Sequence, residues 1–151
     1  ALQQDDVSAW AAAKIMEASG DHAQGQDTEE WAHLQYFVRE RTTPTFVIAP
    51  PGIGYSRAAE LMPVIRRIGR PLAAIVQDGD KEIASVADVV LPVKGVMDEA
   101  LTPLVYCTAG ELFSGYLAAA QGEPYFRGRS GPWDPASGGN AIRTSAVRDQ
   151  L

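Results

Sequence analysis

Thr45-Phe46-Val47-Ile48-Ala49, held between Pro44 and Pro50 and followed at once by Pro51-Gly52-Ile53-Gly54-Tyr55-Ser56, decides how this chain folds. A short, β-branched, apolar run without polar alternation predicts a strand over 45–49 that is buried on both faces, as in a parallel sheet. The glycine-bearing loop then opens a helix whose apolar positions, Ala58, Leu61, Met62, Ile65 and Ile68, recur at helical spacing. Pro63 falls inside that helix and predicts a kink or a break near Leu61. A glycine loop entering a helix after a strand is a place where an anion can sit. Gly-x-Gly alone matches no nucleotide fingerprint, however, and a plain connecting turn is the favoured reading.

Toward the C-terminus the same grammar repeats. Residues 71–76 read as a second apolar strand, Gln77-Asp78-Gly79-Asp80 as a turn, 81–86 as a short helical stretch and 88–93 as a third strand. Strands alternating with helices predict an α/β fold, a three-layer α-β-α sandwich around a mainly parallel sheet. Asp78 and Asp80 could suggest magnesium, but Asp-Gly-Asp is more often turn chemistry, and no metal is expected. The longest helix is expected over 97–121, with Leu101, Leu104, Val105, Leu112, Phe113 and Leu117 as its core stripe. Gly110 and Gly115 would permit close helix packing there, for example across a dimer interface. Cys107, the single cysteine, excludes an internal disulfide and reads as a small buried hydrophobe rather than a nucleophile. From Arg127 onward Gly, Ser, Pro and Arg dominate without apolar periodicity, which predicts an extended tail over 127–151.

Toward the N-terminus, residues 1–6 read as a loop, with Asp5 or Asp6 capping an alanine-rich helix that runs to about Ser19 and ends at Gly20. A brief extended link over 21–25 leads to a second, short helix capped by Asp27 or Thr28. Arg39-Glu40-Arg41-Thr42-Thr43-Pro44 is a charged surface turn. This half holds the one cluster of acid/base side chains: Lys14 and Glu17, three apart on the first helix, and Glu30 and His33, three apart on the second. On spacing alone, a Lys/Glu pair is most often a solvated helix face. His33, beside Trp31 and Tyr36, equally fits a packed, hydrogen-bonded histidine.

The bulk numbers bound the answer. At 151 residues, 46% hydrophobic and 21% charged, the chain is one ordinary globular domain with enough length for a sizeable core. A net charge of −6 and a pI near 4.8 argue against a nucleic-acid surface or an anionic membrane partner. No apolar run approaches the ~18 residues that span a bilayer, and the start has no signal-like pattern. With its lone cysteine, the chain is expected in the cytoplasm.

Lys14-Ile15-Met16-Glu17 followed by Glu30-Trp31-Ala32-His33, with the histidine 16 residues after the glutamate, resembles the second sugar-isomerase (SIS) domain of the glucosamine-6-phosphate synthase type. The likeness continues in order. Thr45-Phe46-Val47-Ile48-Ala49-Pro50 is similar to the family's next core strand, Leu101-Thr102-Pro103-Leu104-Val105-Tyr106 through Glu111-Leu112 to Gly122 to its closing helix, and Asn140-Ala141-Ile142-Arg143-Thr144 to its catalytic tail. Two positions depart: Leu34-Gln35 stands where the family has Gly-Pro, and Arg143 stands where it has a lysine. Arg143 keeps the positive charge but cannot form a Schiff base.

The resemblance implies a SIS-type, flavodoxin-like domain over 1–126, the C-terminal one of a two-SIS protein, followed by the tail. The family's first strand and its Gly-Arg-Gly turn are then expected just before residue 1. It also implies aldose–ketose isomerisation of a sugar phosphate or amino-sugar phosphate, without a cofactor. Glu17 would shuttle the proton, His33 would handle the ring-oxygen proton and Lys14 would stabilise enolate charge or contact the sugar. Glu30 would orient the histidine or cap its helix, and Arg143 would bind substrate. The implied partners are the sugar phosphate, an N-terminal SIS domain carrying the phosphate-binding loop, and a second copy in a homodimer whose histidine reaches the neighbouring site. A fructosamine-phosphate deglycase and a non-catalytic sugar-phosphate sensor are the alternatives.

Overall fold

The computed structural model describes residues 4–137, so Arg143 and the 140–144 motif lie outside the described residues. In chain order the elements are α1 (Gln4–Ala18), α2 (Thr28–His33), β1 (Thr45–Ala49), α3 (Tyr55–Ile68), β2 (Leu72–Gln77), β3 (Val89–Val93) and α4 (Thr102–Gln121). The three strands form a parallel sheet in the order β1-β2-β3, with Thr45 opposite Leu72 and Ala73 opposite Val89.

β2 is the buried centre. Its side chains alternate between two cores, as a strand covered on both faces requires. Leu72, Ala74 and Val76 meet Ala58, Leu61, Met62 and Ile65 of α3, with Trp31 and Ala32 of α2 at the margin. Ile75 meets Val7 of α1, Val93 of β3 and Tyr106 of α4 on the other face. The molecule is therefore α/β, a three-stranded parallel sheet with α2 and α3 on one side and α1 and α4 on the other.

Several sequence expectations are corrected. α1 starts at Gln4, so Asp5 and Asp6 fall within its first turn. α3 runs unbroken across Pro63, which sits on the exposed side while Leu61, Met62 and Ile65 anchor the helix to the sheet. Residues 82–86 are turns, not a helix. A run that short gains too few backbone bonds to offset nucleation, and Asp80 Oδ1 takes the Ala84 N–H instead. The closing helix starts at Thr102, after a 3₁₀ turn over Glu99–Leu101 capped by Asp98, with Pro103 in its first turn.

The largest correction concerns the face that α4 buries. Leu101, Leu104, Val105 and Leu112, expected in the core, are exposed, and Phe113 and Leu117 are half-buried. The buried positions are Thr102, Pro103, Tyr106, Gly110 and Ser114. α1 dictates this choice. Where Ala11 of α1 meets α4 the two helices lie so close that only glycine fits at position 110, while Tyr106 is buried against Val7 and Ile75. Cys107 is likewise half-buried, its Sγ on the Leu104 carbonyl at 3.2 Å.

Candidate functional site

α1 and α4 run side by side in parallel. Trp10 Nε1 donates to Glu111 Oε1 at 2.9 Å, and Gln121 Nε2 donates to Asp21 Oδ2 at 2.8 Å. Gly110 lies against Ala11. Residue n of α1 thus stands level with residue n + 100 of α4. Alanine propensity forms α1, and Gly20, at φ 83, ends it in the left-handed conformation that glycine tolerates.

On the outer face of α1, Lys14 Nζ lies 2.6 Å from Glu17 Oε2 and 4.6 Å from the centroid of the Trp10 ring. The ammonium is thus held by a carboxylate and an aromatic face together. The two side chains are 30% and 42% exposed, so a ligand can reach both. Trp10 is the member that sequence reasoning missed. Its signal was available, because position 10 is four residues before Lys14 and so on the same helical face.

A second missed residue is Arg127, in the 3₁₀ turn Tyr125–Arg129 beyond α4. Its guanidinium donates to the carbonyls of Met16 (2.8 Å) and Ala18 (3.0 Å), the residues flanking Glu17, and pairs with Glu123 at 3.3 Å. It satisfies carbonyls that the end of α1 leaves open. No local pattern announces a contact spanning more than a hundred residues. From here the tail continues through the 3₁₀ turns Gly131–Trp133 and Pro135–Ser137.

α2 forms because Asp27 caps it, accepting the Glu30 N–H at 2.6 Å, and Glu29 and Glu30 fill its first turn. His33 is 76% exposed and its Nδ1 lies 2.7 Å from the Glu29 carbonyl oxygen. Glu29 is drawn to Arg57 of α3, whose guanidinium holds its carboxyl below the ordinary range. Glu30 is exposed. α2 belongs to the α3 side of the sheet, so within one chain the Glu30/His33 pair and the Lys14/Glu17 pair occupy opposite layers.

The loop after β1 has an internal occupant: Glu99 Oε1 accepts the Ile53 N–H at 3.0 Å, beside Gly52. Asp80 is used in the turn after β2, accepting from the Tyr55 hydroxyl and from Ala84 N–H. Burial, and then this contact, pushes the Tyr55 hydroxyl up to about 12. Among the described residues no cluster of three metal-ligating side chains occurs, and no helix is long and apolar enough to cross a membrane.

A groove of about 110 Å³ runs along the outer edge of β1. Four consecutive strand residues, Thr45 to Ile48, line it, facing Ser8 of α1 and Trp31 of α2. Neighbouring strand residues point to opposite faces, so a groove touching all four follows the edge itself. Among the described residues β1 pairs on its other side only, with β2.

No protein-family model matches the chain, and no curated protein matches it. The functional reading therefore rests on the geometry above and on the sequence likeness.

Proposed function

We propose that this chain is a SIS-type domain contributing one half of a phosphosugar aldose–ketose isomerase site. The observation that carries the reading is the constellation on α1. Glu17 is exposed, ion-paired to Lys14, and flanked by carbonyls that Arg127 ties to the segment leading into the tail. A carboxylate on a rigid helix beside a fixed cation suits proton transfer between adjacent carbons. Glu17 removes the proton from C2 of the open-chain aldose and returns it to C1, while Lys14 offsets the charge on the enediolate oxygen.

His33 handles the ring-oxygen proton. Because it lies in the opposite layer from Glu17, it serves a neighbouring site rather than the one on its own chain, and Glu30 remains on its helix as the histidine's neighbour. The groove along β1 also supports the SIS reading, since a further parallel strand would add there.

The test is turnover of a panel of hexose and amino-sugar 6-phosphates by the protein and its Glu17→Gln variant. We expect conversion that falls on the order of 100-fold or more in the variant. Ligand-raised Tm without conversion would make the domain a sensor. If no sugar phosphate is converted and none raises the Tm, the proposal is overturned.

A further inference from the structure

We propose that residues 123–137 form a strap that sets the position of Glu17, with Arg127 as the positioning residue that seats it on α1. A helix leaves its last carbonyls open, and α1 carries no basic side chain in its last turn to meet them. Ser19 closes one, donating to the Ile15 carbonyl through both its N–H and its hydroxyl, each at 2.9 Å. Next in line are the carbonyls of Met16, Glu17 and Ala18. Arg127 takes the two that flank Glu17, donating from Nη2 to Met16 at 2.8 Å and from Nη1 to Ala18 at 3.0 Å. One planar guanidinium thus straddles Glu17 and brings a positive charge to the negative end of the helix.

The seat is specific. Arg127 has only 16% of its side chain exposed, and Glu123, four residues earlier, pairs with its guanidinium at 3.3 Å. A β-carbon on Gly20 would stand 2.8 Å from Arg127 Nη2, so the glycine that ends α1 also leaves room for the guanidinium. Around Arg127 the backbone takes three successive residues through the left-handed region, Arg127 at φ 56, Gly128 at φ 62 and Arg129 at φ 53. Glycine visits that region freely, whereas arginine does so under strain. The pair of charge-assisted hydrogen bonds to α1 offsets that strain. Among the described side chains of 123–137, Arg127 is the one that hydrogen-bonds to a residue outside the strap.

Strain on one side and a single charged clamp on the other make the strap a two-state element. Seated, it holds the carbonyls before and after Glu17, and the carboxylate keeps its 2.6 Å contact with Lys14 Nζ. Released, it leaves the Met16 and Ala18 carbonyls to water, the last turn of α1 frays, and Glu17 loses its fixed relation to Lys14. Control therefore runs from the C-terminal segment to the site: whatever draws 123–137 away from α1 slows proton transfer without touching the substrate. The effect on turnover rests on the isomerase reading; the seating of the strap on α1 does not.

Hydrogen exchange of the full chain, read by mass spectrometry without sugar, tests the seating. We expect Arg127→Ala to speed exchange of the Glu17, Ala18 and Ser19 amides by ~10-fold or more while the amides of β2 keep the parent's rate. Unchanged exchange at 17–19 overturns the proposal, and so does an equal acceleration in β2, which would show a general loss of stability. With hexose and amino-sugar 6-phosphates, we expect Arg127→Ala to lower kcat by ~10- to 100-fold at a KM within ~3-fold of the parent's, because a displaced proton shuttle harms the transition state more than binding. Arg127→Lys, which keeps the charge and can meet one carbonyl, should recover part of kcat. Faster exchange at 17–19 with kcat retained would reduce the strap to a brace and overturn its control of Glu17. A parent that converts none of the sugars, beside an exchange result as expected, sinks the isomerase reading alone.

Discussion

Gly110 of α4 faces Ala11 of α1 so closely that a β-carbon at position 110 would stand 2.6 Å from the Ala11 β-carbon and 3.2 Å from its Cα. Neither neighbour is the flexible end of a side chain, so the helices themselves must part. Gly110→Ala gains up to ~1 kcal/mol of helix propensity but overpacks at a cost of ~1–3 kcal/mol. We expect a net loss, read as a Tm several degrees lower, with Gly110→Val worse. A Tm equal to the parent's or higher would mean the helices are not in this contact.

Gly25 makes the corresponding demand on the link between α1 and α2. A β-carbon there would lie 2.4 Å from Ala9 N and from Ser8 C, both backbone atoms. Gly25→Ala must lift the link off α1, losing ~1–3 kcal/mol. Limited proteolysis should then cut within 20–27 faster than in the parent chain. Unchanged cleavage and unchanged Tm would count against the seating of this loop.

The sheet was legible because strand signals are local. Thr45–Ala49 matches its expected bounds, the second strand shifts by one residue, and the third starts one residue late. The face of α4 was not legible. Its sequence is apolar all round, so periodicity could not say which side is inward, and the deciding fact, the closeness of α1, lies a hundred residues away. The leucines were then expected inward, whereas Tyr106 is the large residue that faces Val7 and Ile75, and Gly110 the one that faces Ala11.

The candidate site divides the same way. Helical spacing alone brings Lys14 to Glu17 and places His33 one turn from Glu29. Whether the two pairs share a layer depends on the path of the link over 20–27, which carries no periodic signal. Arg127 could not be found from sequence, since it acts through carbonyls that every residue possesses.

Glu17→Gln should leave stability nearly untouched. The Lys14–Glu17 pair is solvent-exposed, and such pairs contribute a few tenths to ~1 kcal/mol. A variant that loses turnover at a Tm within a degree or two of the parent separates a chemical role from a structural one. A large fall in Tm would show Glu17 to be structural and undercut its assignment as proton shuttle.

Arg70 should behave in the opposite way, structural and silent in chemistry. It is 6% exposed, and its guanidinium donates to the carbonyls of Gln35 (3.0 Å), Val38 (3.2 Å) and Glu40 (3.2 Å). Arg70→Met strands these acceptors, but Val38 and Glu40 are exposed and Gln35 is only half-buried, so water can reach them. The cost should thus sit near ~2 kcal/mol rather than at the full penalty for several buried groups. Arg70→Lys recovers part of it, since an ammonium cannot span three carbonyls in one plane. Equal stability of Met and parent forms would refute the clamp.

Asp88 gives the fold a defined acid sensitivity. Its Oδ2 accepts the Leu72 N–H at 2.9 Å and its Oδ1 pairs with Arg66 Nη1 of α3 at 2.5 Å, so one carboxylate joins the starts of β2 and β3 to the helix above them. The Arg66 contact, and then the Leu72 N–H, hold its carboxyl below the ordinary 3.8. A lowered folded-state value means that the unfolded chain takes up the proton first as pH falls. The stabilisation is therefore complete above the ordinary aspartate range and disappears as pH drops through the lower folded value. Asp88→Asn should be less stable than the parent at neutral pH, with a Tm gap that narrows below about pH 4 and closes in stronger acid. Salt should narrow the gap as well, because both side chains are about half exposed, at 54% for Arg66 and 44% for Asp88. A gap that stays constant from about pH 6 to about pH 2 would show that the charge on Asp88 contributes nothing to holding the strands to α3.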